Sequence, residues 1–111
     1  NQRADKKAMN DLQALAKDTR TLYGAEAKYL VAQQLYDAKE YAAAEKEILN
    51  FIEQSTPHAY WLARSFILLS DVYVAMDKKL DARQYLLSLQ QNYQADDNIE
   101  QMINERLEKL K

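Results

Sequence analysis

Apolar residues recur every three or four positions in six stretches of this 111-residue chain, the spacing at which a helix buries one face. The first stripe carries Ala8, Leu12, Leu15 and Ala16, the second Ala25, Tyr29, Ala32, Leu35 and Tyr36, and the third Tyr41, Ala44, Ile48, Phe51 and Ile52. The fifth carries Ala82, Tyr85, Leu86, Leu89 and Tyr93, and the sixth Ile99, Met102, Ile103, Leu107 and Leu110 over a polar face of Gln101, Asn104, Glu105 and Glu108. The fourth, from Ala59 to Met76, is apolar on nearly every side through Trp61, Leu62, Phe66, Ile67, Leu68, Leu69, Val72, Tyr73 and Val74. A helix of that kind is covered by neighbours, which places it at the centre of the fold.

Links between the segments fall near 17–21, 38–40 and 77–79. Thr56 followed by Pro57 predicts an N-cap with proline at the first helical position, where its missing amide costs nothing, so the fourth helix is expected to start there. Asp97 with Glu100 three residues on predicts a capping box for the sixth. The lone glycine, Gly24, falls where the second helix meets its predecessor.

The segments are not independent. Ala25 maps onto Ala63, Ala32 onto Ser70, Leu35 onto Tyr73, Ala44 onto Ala82, Ile48 onto Leu86 and Phe51 onto Leu89, each pair 38 positions apart. Small residues at Ala32, Ser70, Ala44 and Ala82 have a steric reason, since two antiparallel helices joined by a short turn come close only where side chains are small. Moving the third segment back by 36 lays its stripe on Ala8, Leu12, Leu15 and Ala16, so the first helix reads as the second half of a preceding unit. The sixth reads as the first half of a following unit, or as a cap.

This grammar resembles that of the tetratricopeptide repeat, whose unit is about 34 residues. The run AEAKYLVAQQLYDAKEYAAAEKEI from Ala25 to Ile48 carries the likeness in Ala32, Tyr41 and Ala44, with Pro57 beyond, and the run from Trp61 to Leu89 carries it in Ser70, Tyr73 and Ala82. Lys28 and Phe66 stand where the family has a tryptophan, Lys39 and Asp77 where it has a turn glycine, and the units are four residues longer than usual, which resembles a divergent bacterial branch common in the envelope and periplasm. The resemblance implies an all-α superhelix of antiparallel helix hairpins with about six helices. It divides the chain into a half-repeat at 1–21, repeats at 22–56 and 57–94, and a capping or half-repeat helix at 95–111. It also implies a non-enzymatic protein-interaction scaffold that holds a partner peptide or helix in a concave groove lined by the first helix of each unit. By resemblance the contacts are Glu26, Gln33 and Asp37 in one unit and Arg64, Asp71 and Lys78 in the next. The alternative is a structural spacer or homo-oligomerisation segment of a longer solenoid, and the Asn at position 1 is read as the start of an excised piece.

Composition narrows the functional classes. A formal net charge of -2 from 15 basic and 17 acidic residues lacks the basic footprint of a nucleic-acid binder. The absence of cysteine excludes disulfides and thiolate chemistry, and the longest apolar stretch is broken by Arg64, Ser65, Ser70 and Asp71, so no membrane span is expected.

Specific chemistry is sparse. The single histidine, His58, follows Pro57 without a motif that supplies a nucleophile or carboxylate, and is expected to pack on a link. Neither metal-ligand spacing nor a glycine-rich phosphate loop is present, so no metal and no cofactor are expected. Glu45, Glu47, Asp96 and Asp97 read as solvated surface or cap residues. Of the eight tyrosines, Tyr29, Tyr36, Tyr73 and Tyr85 fall on packing stripes, whereas Tyr23 and Tyr60 are free to be contacts.

Overall fold

The computed structural model describes the backbone of residues 2–111 and the side chains from residue 8 onward; Asn1 lies outside the described residues. Six helices follow one another: α1 (Gln2–Leu15), α2 (Leu22–Asp37), α3 (Tyr41–Glu53), α4 (Ala59–Ala75), α5 (Lys79–Asn92) and α6 (Ile99–Lys109). Among the described residues there is no strand.

Neighbours in sequence pair as hairpins, α1 with α2, α2 with α3, α4 with α5 and α5 with α6, and α4 touches α2, α3, α5 and α6. Among the described residues no contact joins α1 to α3 or α3 to α5, and the molecule is longer in one direction, 41 × 29 × 22 Å. The all-round apolar α4 accordingly sits at the centre.

The 38-residue recurrence is visible in burial. Ala25 and Ala63, Ala32 and Ser70, Ala44 and Ala82, and Ile48 and Leu86 are all at most 1% exposed. Phe51 and Leu89 are buried as well, and only Leu35 of the six pairs is half-buried where its counterpart Tyr73 is buried. Ala32, Ala44 and Ala82 lie in one core cluster with Tyr29, Ile48, Leu69 and Val72, where the missing side chains let α2 to α5 close on one another. Each fully buried Ile or Leu here contributes about 2 kcal/mol of transfer free energy. Buried Ser70 satisfies its hydroxyl by donating to the Ile67 carbonyl at 2.6 Å.

The turns repeat too. After α2 the amides of Lys39 and Glu40 donate to the carbonyls of Tyr36 and Leu35; after α4 those of Asp77 and Lys78 donate to Val74 and Tyr73. This is the Schellman arrangement, and it forces Lys39 and Asp77 into the left-handed region at φ 63° and 61°. Those are the two positions where the tetratricopeptide repeat that the sequence resembles has a turn glycine. Gly24 sits in the first turn of α2, where a Cβ would fall 1.8 Å from the Asp18 carbonyl oxygen; only glycine lets the preceding link pass so close.

Four expectations need correction. Helix α4 begins at Ala59, not at Pro57, because the Thr56 hydroxyl donates to the Thr19 carbonyl at 2.6 Å and accepts from the His58 amide, holding residues 56–58 as a turn. Asp97 does not form a capping box: α6 has Asn98 at its N-cap without a side-chain bond, and Asp97 accepts from the Ile99 amide at 3.0 Å. Ala8 and Leu15 are exposed; among the described residues α1 touches no helix but α2, and packs on Ala27 and Val31 through Met9, Leu12 and Ala16. Glu47 is not simply solvated, since it pairs at 2.6 Å with Lys28, a buried ammonium that also donates to Asn50.

Candidate partner-binding surface

Since α2 packs on α4 and α4 on α6, the first helices of successive hairpins form a row, and the side chains along it meet across the helix boundaries. The Arg64 guanidinium of α4 lies over the Tyr29 ring of α2, 5.0 Å from its centroid, and 5.9 Å from that of Tyr60. Its terminal nitrogens donate to the Tyr60 and Tyr29 hydroxyls at 3.0 and 2.9 Å. The Tyr29 hydroxyl donates in turn to Gln33 at 3.0 Å, and Gln33 to Asp37 at 3.0 Å. In the other direction Tyr60 donates to Asn98, at the start of α6. Trp61 stacks at a tilt on Tyr29, centroids 5.5 Å apart, and fixes the ring from below.

Arg64 therefore carries its charge on two phenol oxygens, and no ion pair involves it among the described residues. Burial works against that charge and the Tyr60 and Tyr29 hydroxyls outweigh it, so the guanidinium is held above its ordinary pKa. Its Nε is enclosed and has no hydrogen-bond partner. The arrangement holds a cation rigidly at a half-exposed surface and leaves donor capacity for an acceptor from outside.

Further along the same row Asp71 of α4 takes a two-pronged grip from Arg106 of α6, at 2.9 and 3.0 Å. Tyr36 of α2 stands beside this pair; burial first, and then the Asp71 charge, push its phenol pKa up. Around the pair opens a cleft of about 610 Å³, bounded by α4, α6, Tyr36 and the first residue of α5, Lys79.

The six residues expected to line a groove divide accordingly. Gln33, Asp37 and Arg64 belong to one network, joined by Tyr29. Asp71 is on the row but is engaged by Arg106. Glu26 is half-buried one turn before Tyr29 on the same face of α2 and makes no hydrogen bond or ion pair among the described residues. Lys78 does not join the row: it lies over the Tyr73 ring, 5.8 Å from the centroid, and Tyr73 faces Glu45 of α3 and Tyr85 of α5.

Tyr29, Asn98 and Arg106 were not anticipated as groups of this row, whereas Tyr60 was one of the two tyrosines left open as a contact. A signal for them exists in the numbering. Tyr29 and Arg64 are 35 apart, as are Asp71 and Arg106, so successive first helices meet about one turn short of the 38-residue period. Tyr60 and Asn98 are 38 apart, as are Arg20 and His58, whose Nε2 lies 3.0 Å from the Arg20 carbonyl oxygen. His58 thus packs on the α1–α2 link. Among the described residues, no group of three or more His, Cys, Asp or Glu side chains is placed to hold a metal ion, and no helix is long and apolar enough to cross a membrane.

A scan of known protein families finds no model that matches the chain, and searches of curated proteins and of solved structures find no significant match.

Proposed function

We propose that the chain is a non-catalytic interaction scaffold of the tetratricopeptide type, whose α2–α4–α6 row holds a peptide or helix of a protein partner. The observation that carries this reading is Arg64: a half-buried guanidinium immobilised by Tyr29 and Tyr60, with no carboxylate among the described residues to neutralise it, and with one N–H of each terminal nitrogen beyond those given to the phenols. A structural ion pair would have brought its own acid, as Asp71 does for Arg106 and Glu47 for Lys28. The recurrence of burial and of turn geometry every 38 residues supports a repeat scaffold, in which function resides on the shared face of stacked hairpins. Gln33 and Asp37 extend that face along α2 and give it both signs of charge, which selects partners by register.

The test is site-directed photo-crosslinking from Gln33 in native extract, with Arg64→Glu as the control variant. A partner that crosslinks saturably and is lost in the variant supports the groove. Crosslinks that are diffuse, or equal in both, count against it.

A second reading, the spacer or self-associating segment, has one observation in its favour. Leu15, Leu22 and Tyr23 stand 54%, 51% and 71% exposed around the α1–α2 elbow, a concentration of apolar surface at one end of the stack. Light scattering across a concentration series decides it: a mass that stays at one chain removes self-association.

A further inference from the structure

The cleft between the C-terminal ends of α4 and α6 has a charge imbalance of its own. Asp71 and Arg106 close its floor and neutralise each other, each side chain 26% exposed. Lys79 and Lys109 stand at its edges in no ion pair among the described residues, with Glu105 as the one other acid on its walls. Val74, Ala75 and Leu110 supply its apolar lining, and Val74 is among the few large apolar side chains left exposed, at 40%. Two exposed lysines on a cleft with an aliphatic lining are complementary to a carboxylate beside an aliphatic side chain, and the volume of about 610 Å³ admits a few side chains of a docked segment.

We infer that this cleft is the specificity-bearing part of the groove, and that it takes a segment of a partner protein in which an acidic side chain adjoins an aliphatic one. The inference rests on the scaffold reading given above. Lys79 and Lys109 would meet the carboxylate, and Val74, Ala75 and Leu110 the aliphatic group. The closed Asp71–Arg106 pair would reject a basic segment no more than an acidic one, so the sign preference comes from the two lysines set against the single carboxylate of Glu105.

The experiment is amide NMR of the 15N-labelled chain titrated with two capped synthetic peptides, one alternating Glu and Leu and the other alternating Lys and Leu. The expected result is saturable shifts with the Glu/Leu peptide at Val74, Ala75, Lys79 and Lys109. The dissociation constant should weaken by about tenfold in the doubly reversed K79E/K109E variant, and added salt should weaken it in the native chain. Both lysines are exposed, so the variant is expected to keep the native amide spectrum elsewhere, which the same data check. Absence of saturable shifts, equal binding of the Lys/Leu peptide, or the same shifts from sodium acetate alone overturns the inference. So do shifts that appear on concentrating the chain without peptide, which would assign the cleft to a second copy. Saturable shifts confined to Gln33 and Arg64 overturn the cleft while leaving the groove standing.

Discussion

Arg106 holds Asp71 by two parallel hydrogen bonds, Nε at 2.9 Å to one carboxylate oxygen and Nη2 at 3.0 Å to the other, and so ties the last helix of the chain to its centre. This fork geometry is the stronger form of an ion pair, and partial burial shields it from salt. We expect a double-mutant cycle with D71N and R106Q to give a coupling of about 1 kcal/mol in urea denaturation. Arg106→Lys is expected to lose most of it, because an ammonium cannot reproduce the fork. Hydrogen exchange should locate the effect in α6; a coupling of zero would show that α6 is held without help from this pair, by packing such as that of Ile99 and Ile103.

The two Schellman turns offer a gain in stability. Lys39 and Asp77 sit at φ 63° and 61°, where a Cβ crowds the neighbouring carbonyl and glycine does not. Lys39→Gly is expected to stabilise the fold by about 1 kcal/mol and Asp77→Gly by somewhat less, since aspartate tolerates this conformation better. The turns are far apart in the chain and share no partner, so the double variant should show the sum. Thermal denaturation of the three variants checks this, and a loss of stability in either single variant contradicts it.

Both turns show what the sequence made legible and what it hid. The 38-residue period exposed the core, because buried positions such as Ala44 and Ala82 must be small in every unit and the constraint repeats with the fold. The resemblance to the tetratricopeptide repeat, and not the period, marked Lys39 and Asp77 as standing where a turn glycine is usual. What it hid depends on groups with two chemistries. Tyr29 was readable as a core ring, but not as the hydroxyl that joins Arg64 to Gln33. Thr56 was readable as a helix cap, but its hydroxyl is drawn instead to the Thr19 carbonyl 37 residues away, and the helix starts later. Glu47 gave no sign of its partner, because Lys28 is buried by the fold and not by its own stripe. Lys78 was assigned to the groove by its place in the repeat, and the turn carries it instead to Tyr73.

Gly24 is the reverse case to Lys39. In a helix interior an alanine is ordinarily better than glycine by about 1 kcal/mol. Here its Cβ would stand 1.8 Å from the Asp18 oxygen and 2.7 Å from the Asp18 carbonyl carbon, both backbone atoms that move only if the link moves. Gly24→Ala is expected to cost about 2 kcal/mol or more, lowering the Tm by several degrees. Loss should be accompanied by faster exchange of the Gly24 amide, which donates to the Thr21 hydroxyl at 2.9 Å. An unchanged Tm would mean that the α1–α2 link is free to shift.

Alkaline pH should loosen the α5–α6 junction. Burial, and then the hydrogen bond and charge of Asp97, push the Tyr93 phenol up to about 12, against about 10 in an unfolded chain. Between those values the unfolded state has released the proton and the folded state has not, so stability falls as pH rises through the window and is fully present below it. Burial raises Tyr73 in the same direction, with Glu45 adding to it. Denaturation midpoints should therefore decline from about pH 10 upward, and Tyr93→Phe should flatten part of the decline. Phenolate absorbance across the titration checks the assignment; a Tyr93 that ionises near pH 10 in the folded chain would refute it.

Ala44 and Ala82 carry the repeat itself, and a symmetric pair of substitutions tests it. Both are fully enclosed at 0% exposure, 38 positions apart, in the cluster where the helices come closest. Leucine at either site must displace a neighbouring helix, and such overpacking costs about 1 to 3 kcal/mol. Leucine at exposed Ala42, two positions earlier on the outer side of α3, should cost almost nothing. If the two positions are equivalent parts of one repeated unit, Ala44→Leu and Ala82→Leu should have similar costs, though they change different hairpins. Denaturant titration of the three variants gives the comparison. A large cost at one site and none at the other would show that the period is a feature of the sequence which the packing does not share.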